Sequence, residues 1–274
     1  MTVEELLVFG KSHCHSEHAK ILLAELLNKN SLELLNYLNE TVDNELCEKY
    51  KNEVIALEEG KPLQYVIGNV NFYGNNFYIN ENVLIPRFET EELVENTINY
   101  INKLFTKPVD IIDLGCGSGV IGITLDKKIS TNSVDLIDIS EKALEVANKN
   151  CGLLNSKAKT LQSNFFEHVN KKYDVVISNP PYIKTNEEIE DIVRNNEPHL
   201  ALFAGEDGLD CYKSILNNVK EHLKEKYLIA FEIGYEQALD ITNLAKQVLP
   251  EANIEVKKDL SEKDRMLFIF YNLV

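Results

Sequence analysis

From Pro108 onward the chain alternates apolar strand-like runs with helical runs, and that alternation leaves few folds open. "VDIIDLG", "SVDLIDIS", "AKTLQS", "YDVVISN" and "YLIAFEIG" are apolar runs of strand length, and helical segments separate most of them. Strands joined through helices pair in parallel, and the helices cover both faces of the sheet. The end breaks the rule. "NIEVKKDLSEKDRMLFIFYN" holds two strands with only a polar loop between them, which predicts an antiparallel hairpin at the sheet edge. The expected fold class is therefore α/β: a Rossmann-like, seven-stranded, mostly parallel sheet with an antiparallel terminal hairpin.

The chain before Pro108 reads differently. "EHAKILLAELLNK", "SLELLNYLNE" and "DNELCEKYKNEVIALEEG" carry apolar residues at helical spacing, with Ser31 and Asp43 placed to cap and Gly60 placed to stop. "QYVIGNVNFYGNNFYINENVLIPR" then alternates, with Val70 and Phe72 on one side of a Gly74-Asn75-Asn76 turn and Phe77 and Ile79 on the other, which predicts a hairpin. "TEELVENTINYINKLF" is the next amphipathic helix, with Thr90 as the expected N-cap. We expect a small helical domain over 1–68, a hairpin junction over 69–88, and the α/β domain over 89–274.

Two stretches carry chemistry. "DLGCGSGVIG" follows a strand and opens a helix, the place where open α/β sheets bind ligands. Gly115, Gly117 and Gly119 allow close backbone approach, with Cys116 and Ser118 between them. Read from Gly117, the loop fits a dinucleotide fingerprint. Read from Asp113, an acid at the strand end suits a cationic amino-acid cofactor such as S-adenosylmethionine. Asp138 ends the next strand, where a carboxylate can hold a ribose, and both cofactors contain one.

"VVISNPPYIK" is the second stretch. Asn179 ends an apolar strand, and Pro180 and Pro181 stiffen the backbone beyond it. The side-chain oxygen of Asn179 and the carbonyl of Pro180 present two acceptors, which suit the two hydrogens of a planar –NH₂ group. Tyr182 adds a ring to cover a flat substrate. Such a corner aims a delocalised nitrogen at an electrophile such as a sulfonium methyl group.

Bulk properties exclude other classes. A net charge of −16 in 274 residues, without a basic patch, argues against direct nucleic-acid binding. No stretch reaches the roughly 18 apolar residues that a membrane span needs, and "MTVEELLVFGK" has no signal-peptide pattern. Five widely spaced cysteines fit a reducing, cytoplasmic setting. His13, Cys14, His15 and His18 read as residues of a helix start rather than metal ligands, so no metal is expected. Arg87 is expected to anchor a domain interface through an ion pair.

"DLGCGSG" together with "SNPPYI" resembles the class I S-adenosylmethionine-dependent amino-methyltransferases, including those that act on adenine. The flanking "EGKPLQYVIGNVNFYGNNFYINENVLIPRFETEELV", "NEPHLALFAGEDGLDCY" and "FEIGYEQ" resemble the peptide chain release factor glutamine methyltransferases, most strongly from Gly60 to Tyr235. The resemblance implies methyl transfer from S-adenosylmethionine, leaving S-adenosylhomocysteine, to the side-chain amide of the glutamine in a release factor's Gly-Gly-Gln loop. It implies that the helical domain grips the release factor; a monomer is expected. It assigns Gly115, Cys116, Gly117, Ser118, Gly119, Asp138, Phe165 and Asn179 to the cofactor. Asn179, Pro180, Pro181 and Tyr182 go to the glutamine, with Asn179, Pro180 and Tyr182 as the catalytic set. Asn164-Phe165 stands where the family commonly has Asp-Trp, Phe88-Glu89 where Pro-Asp is usual, and "DLSEKDR" lacks a usual glycine. Methylation of a ribosomal protein glutamine, or of a nucleobase amino group, is the alternative substrate, and a cofactor-binding scaffold is the non-enzymatic alternative.

Overall fold

The computed structural model describes residues 1–271. The chain forms two compact units: Met1–Asn69 with Glu190–Asn196, and Val70–Ile189 with the chain from Glu197 onward.

The first unit is helical. It contains α1 (Val3–His13), α2 (Ser16–Leu26), α3 (Asn44–Glu58) and α4 (Leu63–Ile67). Thr2 and Glu5 form a reciprocal capping box at the start of α1. Asp43 caps α3 by accepting from Leu46 N at 2.9 Å, and Gly60 follows that helix at φ +93°. Leu6, Leu22, Leu23, Leu34, Tyr50 and Val54 are almost wholly buried and make its core. The helix expected from Ser31 shrinks to one 3₁₀ turn, Glu33–Asn36. Asn30 Oδ1 accepts from Leu32 N at 2.9 Å, a local bond that competes with helix. Of that turn's leucines only Leu34 is buried, so packing gives little reason to extend it.

The second unit opens with a hairpin of β1 (Asn69–Phe72, its first residue in the other unit) and β2 (Asn75–Tyr78). Its turn is Tyr73-Gly74, one residue earlier than expected. Both turn residues have positive φ, 49° and 76°, as a two-residue hairpin turn of the primed type requires. Phe72 and Phe77 meet edge to face at 6.0 Å and join the core built by α5 (Phe88–Leu104) and the sheet. Leu93, Val94 and Ile101 of α5 are buried, with Ile98 and Leu104 packed beside them, as their spacing predicts. The cap differs from expectation. Arg87 precedes the helix without a side-chain cap, and Thr90 lies inside the first turn, buried.

The remaining elements are β3 (Val109–Leu114), α6 (Val120–Lys128), β4 (Thr131–Asp138), α7 (Glu141–Leu154), β5 (Lys159–Gln162) and β6 (Tyr173–Ser178). After them come α8 (Asp191–Asn196, in the first unit), α9 (Asp210–Val219), β7 (Leu223–Glu232), α10 (Ala238–Val248), β8 (Asn253–Lys258) and β9 (Asp264–Tyr271). The sheet order is β5-β4-β3-β6-β7-β9-β8. The first five strands pair in parallel; β9 runs antiparallel to β7 and to β8. This is the seven-stranded, mostly parallel sheet with an antiparallel end that the alternation predicts.

β3 and β6 are neighbours, but the chain leaves β3 towards β4 on one side and continues from β6 towards β7 on the other. The crevice beyond their carboxyl ends is the topological switch point, where such sheets bind ligands. Ser178 Oγ donates to Leu114 O at 2.5 Å and ties the two strand ends together.

α6 lies close against β4 because Gly122 has no side chain. A Cβ there would stand 2.3 Å from Leu136 Cδ2 and 3.1 Å from Asp113 Oδ2. Leu136 is fully buried, so it has nowhere to move. Gly122→Ala is therefore expected to destabilise by about 1–3 kcal/mol despite alanine's better helix propensity. Thermal unfolding checks this: the midpoint should fall by about 2–4 °C for each kcal/mol.

Candidate active site

The glycine loop is shaped by hydrogen bonds from outside itself. Gly115, Gly117 and Gly119 all have positive φ, 70°, 53° and 79°. Gly119 caps α6 but has no side chain with which to accept the first-turn N–H groups. Asp113, from the end of β3, supplies the acceptor: its Oδ2 takes the Gly122 N–H at 2.9 Å. Asp138, from the end of β4, takes the Gly117 N–H on Oδ2 and the Ser140 N–H on Oδ1, both at 2.9 Å. Fully buried Asn150 of α7 donates to Ser118 O and Tyr78 O, both at 2.9 Å, and accepts from Tyr78 N. The loop is thus pinned between sheet, helix and hairpin.

A cavity of about 350 Å³ opens over this loop, within the range of small-molecule sites. Gly115, Cys116, Gly117, Ser118, Asp138, Phe165, Asn179 and Pro181 line it. These residues come from the ends of β3, β4 and β6 and the loop after β5, so the structure gathers most of the expected site. Gly119 and Pro180 are not wall residues. Gly119 lies behind the loop, where a Cβ would meet Ile123 Cδ1 at 2.9 Å, and Pro180 is buried. Tyr182 also lies off the wall and packs against the core on the α9 side of the sheet. Gln237 holds its carbonyl, with Nε2 donating at 3.0 Å.

Asp113 is placed differently from the expected cofactor contact. It is 1% exposed and lies off the wall. Burial, and then the nearby Asp138 charge, push its carboxyl up to about 7. Its Oδ1 has no hydrogen-bond partner among the described residues. Asp138 is also raised, chiefly by burial, although its backbone hydrogen bonds oppose the shift. Neither Cys116 nor Cys211, which both line the cavity, is an activated thiol: burial raises both pKa values, that of Cys211 to about 11.

Several wall and support residues were invisible in the sequence. Leu84 and Pro86 form one side of the cavity, and Pro198, Leu200 and Ala201 another. An ion pair joins these two segments: Arg87 Nη2 lies 2.5 Å from Glu197 Oε1, and Ile85 N donates to Glu197 Oε2 at 3.1 Å. Arg87 therefore anchors a contact inside the sheet unit rather than the expected domain interface. Thr90 lines the cavity as well. Its Oγ1 accepts from Asn179 Nδ2 at 3.1 Å and donates to Glu232 Oε2 at 2.7 Å. Glu232 closes β7 in the quoted "FEIG", and its role there is a tertiary fact that no local pattern reveals. No cluster of potential metal ligands occurs among the described residues.

The buried acid beneath the loop has a measurable consequence. An acid whose pKa is raised by folding stabilises the folded state most below its unfolded value, near 4, and that contribution is lost as pH rises through about 7. Asp113→Asn keeps an acceptor for Gly122 N–H but cannot ionise. Relative to the parent protein, the variant should gain roughly 1–3 kcal/mol of stability between about pH 5 and pH 8. Urea unfolding at both pH values measures the difference.

Comparison with known proteins fits this geometry. The family description "Methyltransferase small domain" matches residues 90–201, and "PrmC N-terminal domain" matches residues 15–68. The release factor glutamine methyltransferase of Bacillus anthracis is 38% identical over 256 residues, covering 91% of this chain and 90% of that protein. The protein of the same name from Streptococcus pneumoniae is 36% identical over 269 residues, covering 97% and 94%. In fold, the chain is similar to a methyltransferase from Pyrococcus furiosus, with TM-score 0.54 at 14% identity over 73% of this chain and 90% of that one. It is also similar to a 16S rRNA methyltransferase from T. Thermophilus in complex with AdoMet and guanosine, with TM-score 0.53 at 15% identity over 74% and 50%. With its sheet, its cavity and this identity along nearly its whole length, the chain belongs to the release factor glutamine methyltransferase family.

Proposed function

We propose that this protein transfers a methyl group from S-adenosylmethionine to the side-chain amide nitrogen of the glutamine in the Gly-Gly-Gln loop of peptide chain release factors. The observation that carries the reading is the position of Asn179: it directly follows β6 at the switch point, on the wall of the cavity that the glycine loop also lines.

The residues present fit the cofactor. Gly115 and Gly117 leave open space where side chains would stand. Asp138 uses its oxygens for one backbone donor each and keeps lone pairs for the two hydroxyls of a ribose. Phe165 and Asn164 stand on the wall after β5, and Phe165 offers a ring for an adenine. When bound, S-adenosylmethionine supplies a sulfonium-activated methyl group.

The chain's own part is to hold the amide. Asn179 Oδ1, on the wall, would accept one hydrogen of the glutamine –NH₂, and the carbonyl of Pro180, a buried residue off the wall, would have to take the other for the nitrogen to face the methyl group. Fixed geometry of this kind is worth several kcal/mol of barrier. Two acceptors admit an amide and repel a glutamate carboxylate, which has no hydrogens to offer. Cys116 and Cys211, both held as thiols, do not compete with the amide as nucleophiles. The helical unit would grip the release factor, and the enzyme would act as a cytoplasmic monomer. Among the described residues no helix is long and apolar enough to cross a membrane.

The reading is tested with labelled S-adenosylmethionine and a purified release factor, followed by mass spectrometry of the peptides. One methyl group on the Gly-Gly-Gln glutamine is expected, and none once that glutamine is replaced by alanine; equal labelling of the replaced substrate rejects the assignment. Asn179→Ala should lower kcat by about 10²–10³ while cofactor affinity changes only a few-fold, since the loss falls on orientation. Asp138→Ala should behave oppositely. It should weaken cofactor binding in calorimetry by roughly 10–100-fold, the worth of one or two charge-assisted hydrogen bonds.

A further inference from the structure

We propose that Thr90 and Glu232 are positioning residues that form a one-way hydrogen-bond relay, locking the amide of Asn179 with its oxygen towards the cavity. The proposal rests on the function proposed above and deepens it.

A primary amide such as Asn179 has two rotations of nearly equal shape. One turns Oδ1 to the substrate and the other turns Nδ2. Only the first can accept a hydrogen from an incoming –NH₂ group; the second sets donor against donor. Something must choose, and the groups that choose are buried. Glu232 is 2% exposed and Thr90 3%. The Thr90 hydroxyl donates its single proton to Glu232 Oε2, 2.7 Å away, the one direction open while Glu232 is charged, since a carboxylate can only accept. With that proton committed, Thr90 Oγ1 can only accept from Asn179, and it does so from Nδ2 at 3.1 Å. Asn179 also favours the charged form of the Glu232 carboxylate. Donors thus run in one direction from Asn179 through Thr90 to Glu232, and Oδ1 is left for the substrate.

The relay is anchored at its far end. Burial raises the Glu232 carboxyl to about 7, against which the Thr90 hydrogen bond and the nearby Arg265 favour its charged form; Arg265 is itself held by Asp259, whose Oδ2 accepts from its Nε at 3.1 Å. Tyr212 donates to the main-chain oxygen of Glu232 at 2.7 Å and fixes that strand end. A reversed relay would need a donor at position 232, which Glu232 becomes only when protonated, so the direction is fixed above about pH 7.

That requirement supplies the test. Thr90→Val keeps the shape and removes the hydroxyl; Thr90→Ser restores it. Glu232→Gln is nearly isosteric but can donate, so it no longer dictates direction. Thr90→Val and Glu232→Gln are each expected to lower kcat by roughly 10–100-fold, with KM for the release factor and the dissociation constant for the cofactor within about twofold. Thr90→Ser should recover most of kcat. A valine variant with parental kcat overturns the relay, and so does a defect that serine does not repair or one that falls on KM alone. Should the valine variant fail to fold by circular dichroism, Glu232→Gln decides alone. A second readout needs no substrate. With ¹⁵N-asparagine labelling, the Asn179 side-chain amide protons should exchange slowly in the parent protein and fast in Thr90→Val. Equal exchange in both overturns the relay, even if the parent protein methylates something other than a release factor.

Discussion

Two carboxylates hold the turn from which the site hangs. A loop of left-handed glycines has no side chains of its own, so its backbone N–H groups must find acceptors elsewhere or be left unpaired at a helix start. Asp113 reaches from β3 to Gly122, and Asp138 reaches from β4 to Gly117. Each acid sits at the carboxyl end of a parallel strand, so the loop's shape is inherited from the sheet. The arrangement costs stability, because two acids are buried near one another and both carboxyls are driven upward. In return, the glycine backbone faces the cavity, with Asp113 behind it and Asp138 on the wall beside it.

The second half of the site is fixed by the same logic on the neighbouring strand. Ser178 ties β6 to β3, so Asn179 cannot shift relative to the glycine loop without breaking a buried bond. Thr90 then brings α5 to Asn179, and Glu232 brings β7. The glycine loop and the Asn179 corner are set by adjacent strands of one sheet. Their separation is therefore decided by strand spacing rather than by a flexible hinge, as the proposed transfer between them would require.

Most of the sheet is legible in the sequence because its signals are local. Apolar runs, helical spacing in Leu93, Val94 and Ile101, and the glycines after "VDIIDL" each report on their own neighbourhood. The glycine loop and Asn179 are legible for the same reason: special backbone needs special residues. Asn150 is not, since a buried asparagine in a helix looks like any polar surface position until its three partners come in from Tyr78 and Ser118. Thr90 looks like an N-cap because threonine before an apolar stripe usually is one. In the structure its hydroxyl is committed to β7 and Asn179, and the helix starts two residues earlier. Asp113 suggests a cofactor contact by its place at a strand end, yet its side chain serves the helix behind the loop. Tertiary partners of this kind carry no period and no punctuation.

β3 carries an internal control on which end of the sheet does chemistry. Asp110 and Asp113 are three residues apart on one strand. Burial acts to raise Asp110, but hydrogen bonds from Lys224, Ser133 and Lys171 outweigh it and hold the carboxyl well below the usual range. Lys224 lies 2.5 Å from Asp110 and 2.6 Å from Asp174, so that end of the sheet is closed by mutual neutralisation. Asp113 and Asp138, at the other end, have backbone N–H groups and no lysine or arginine partner among the described residues. A strand end sealed by ion pairs has no unmet charge to offer a ligand. One whose acids are only half-satisfied keeps acceptors and negative potential in reserve. The same residue type thus does opposite work at the two ends of one strand, and what decides between them is whether a lysine can reach.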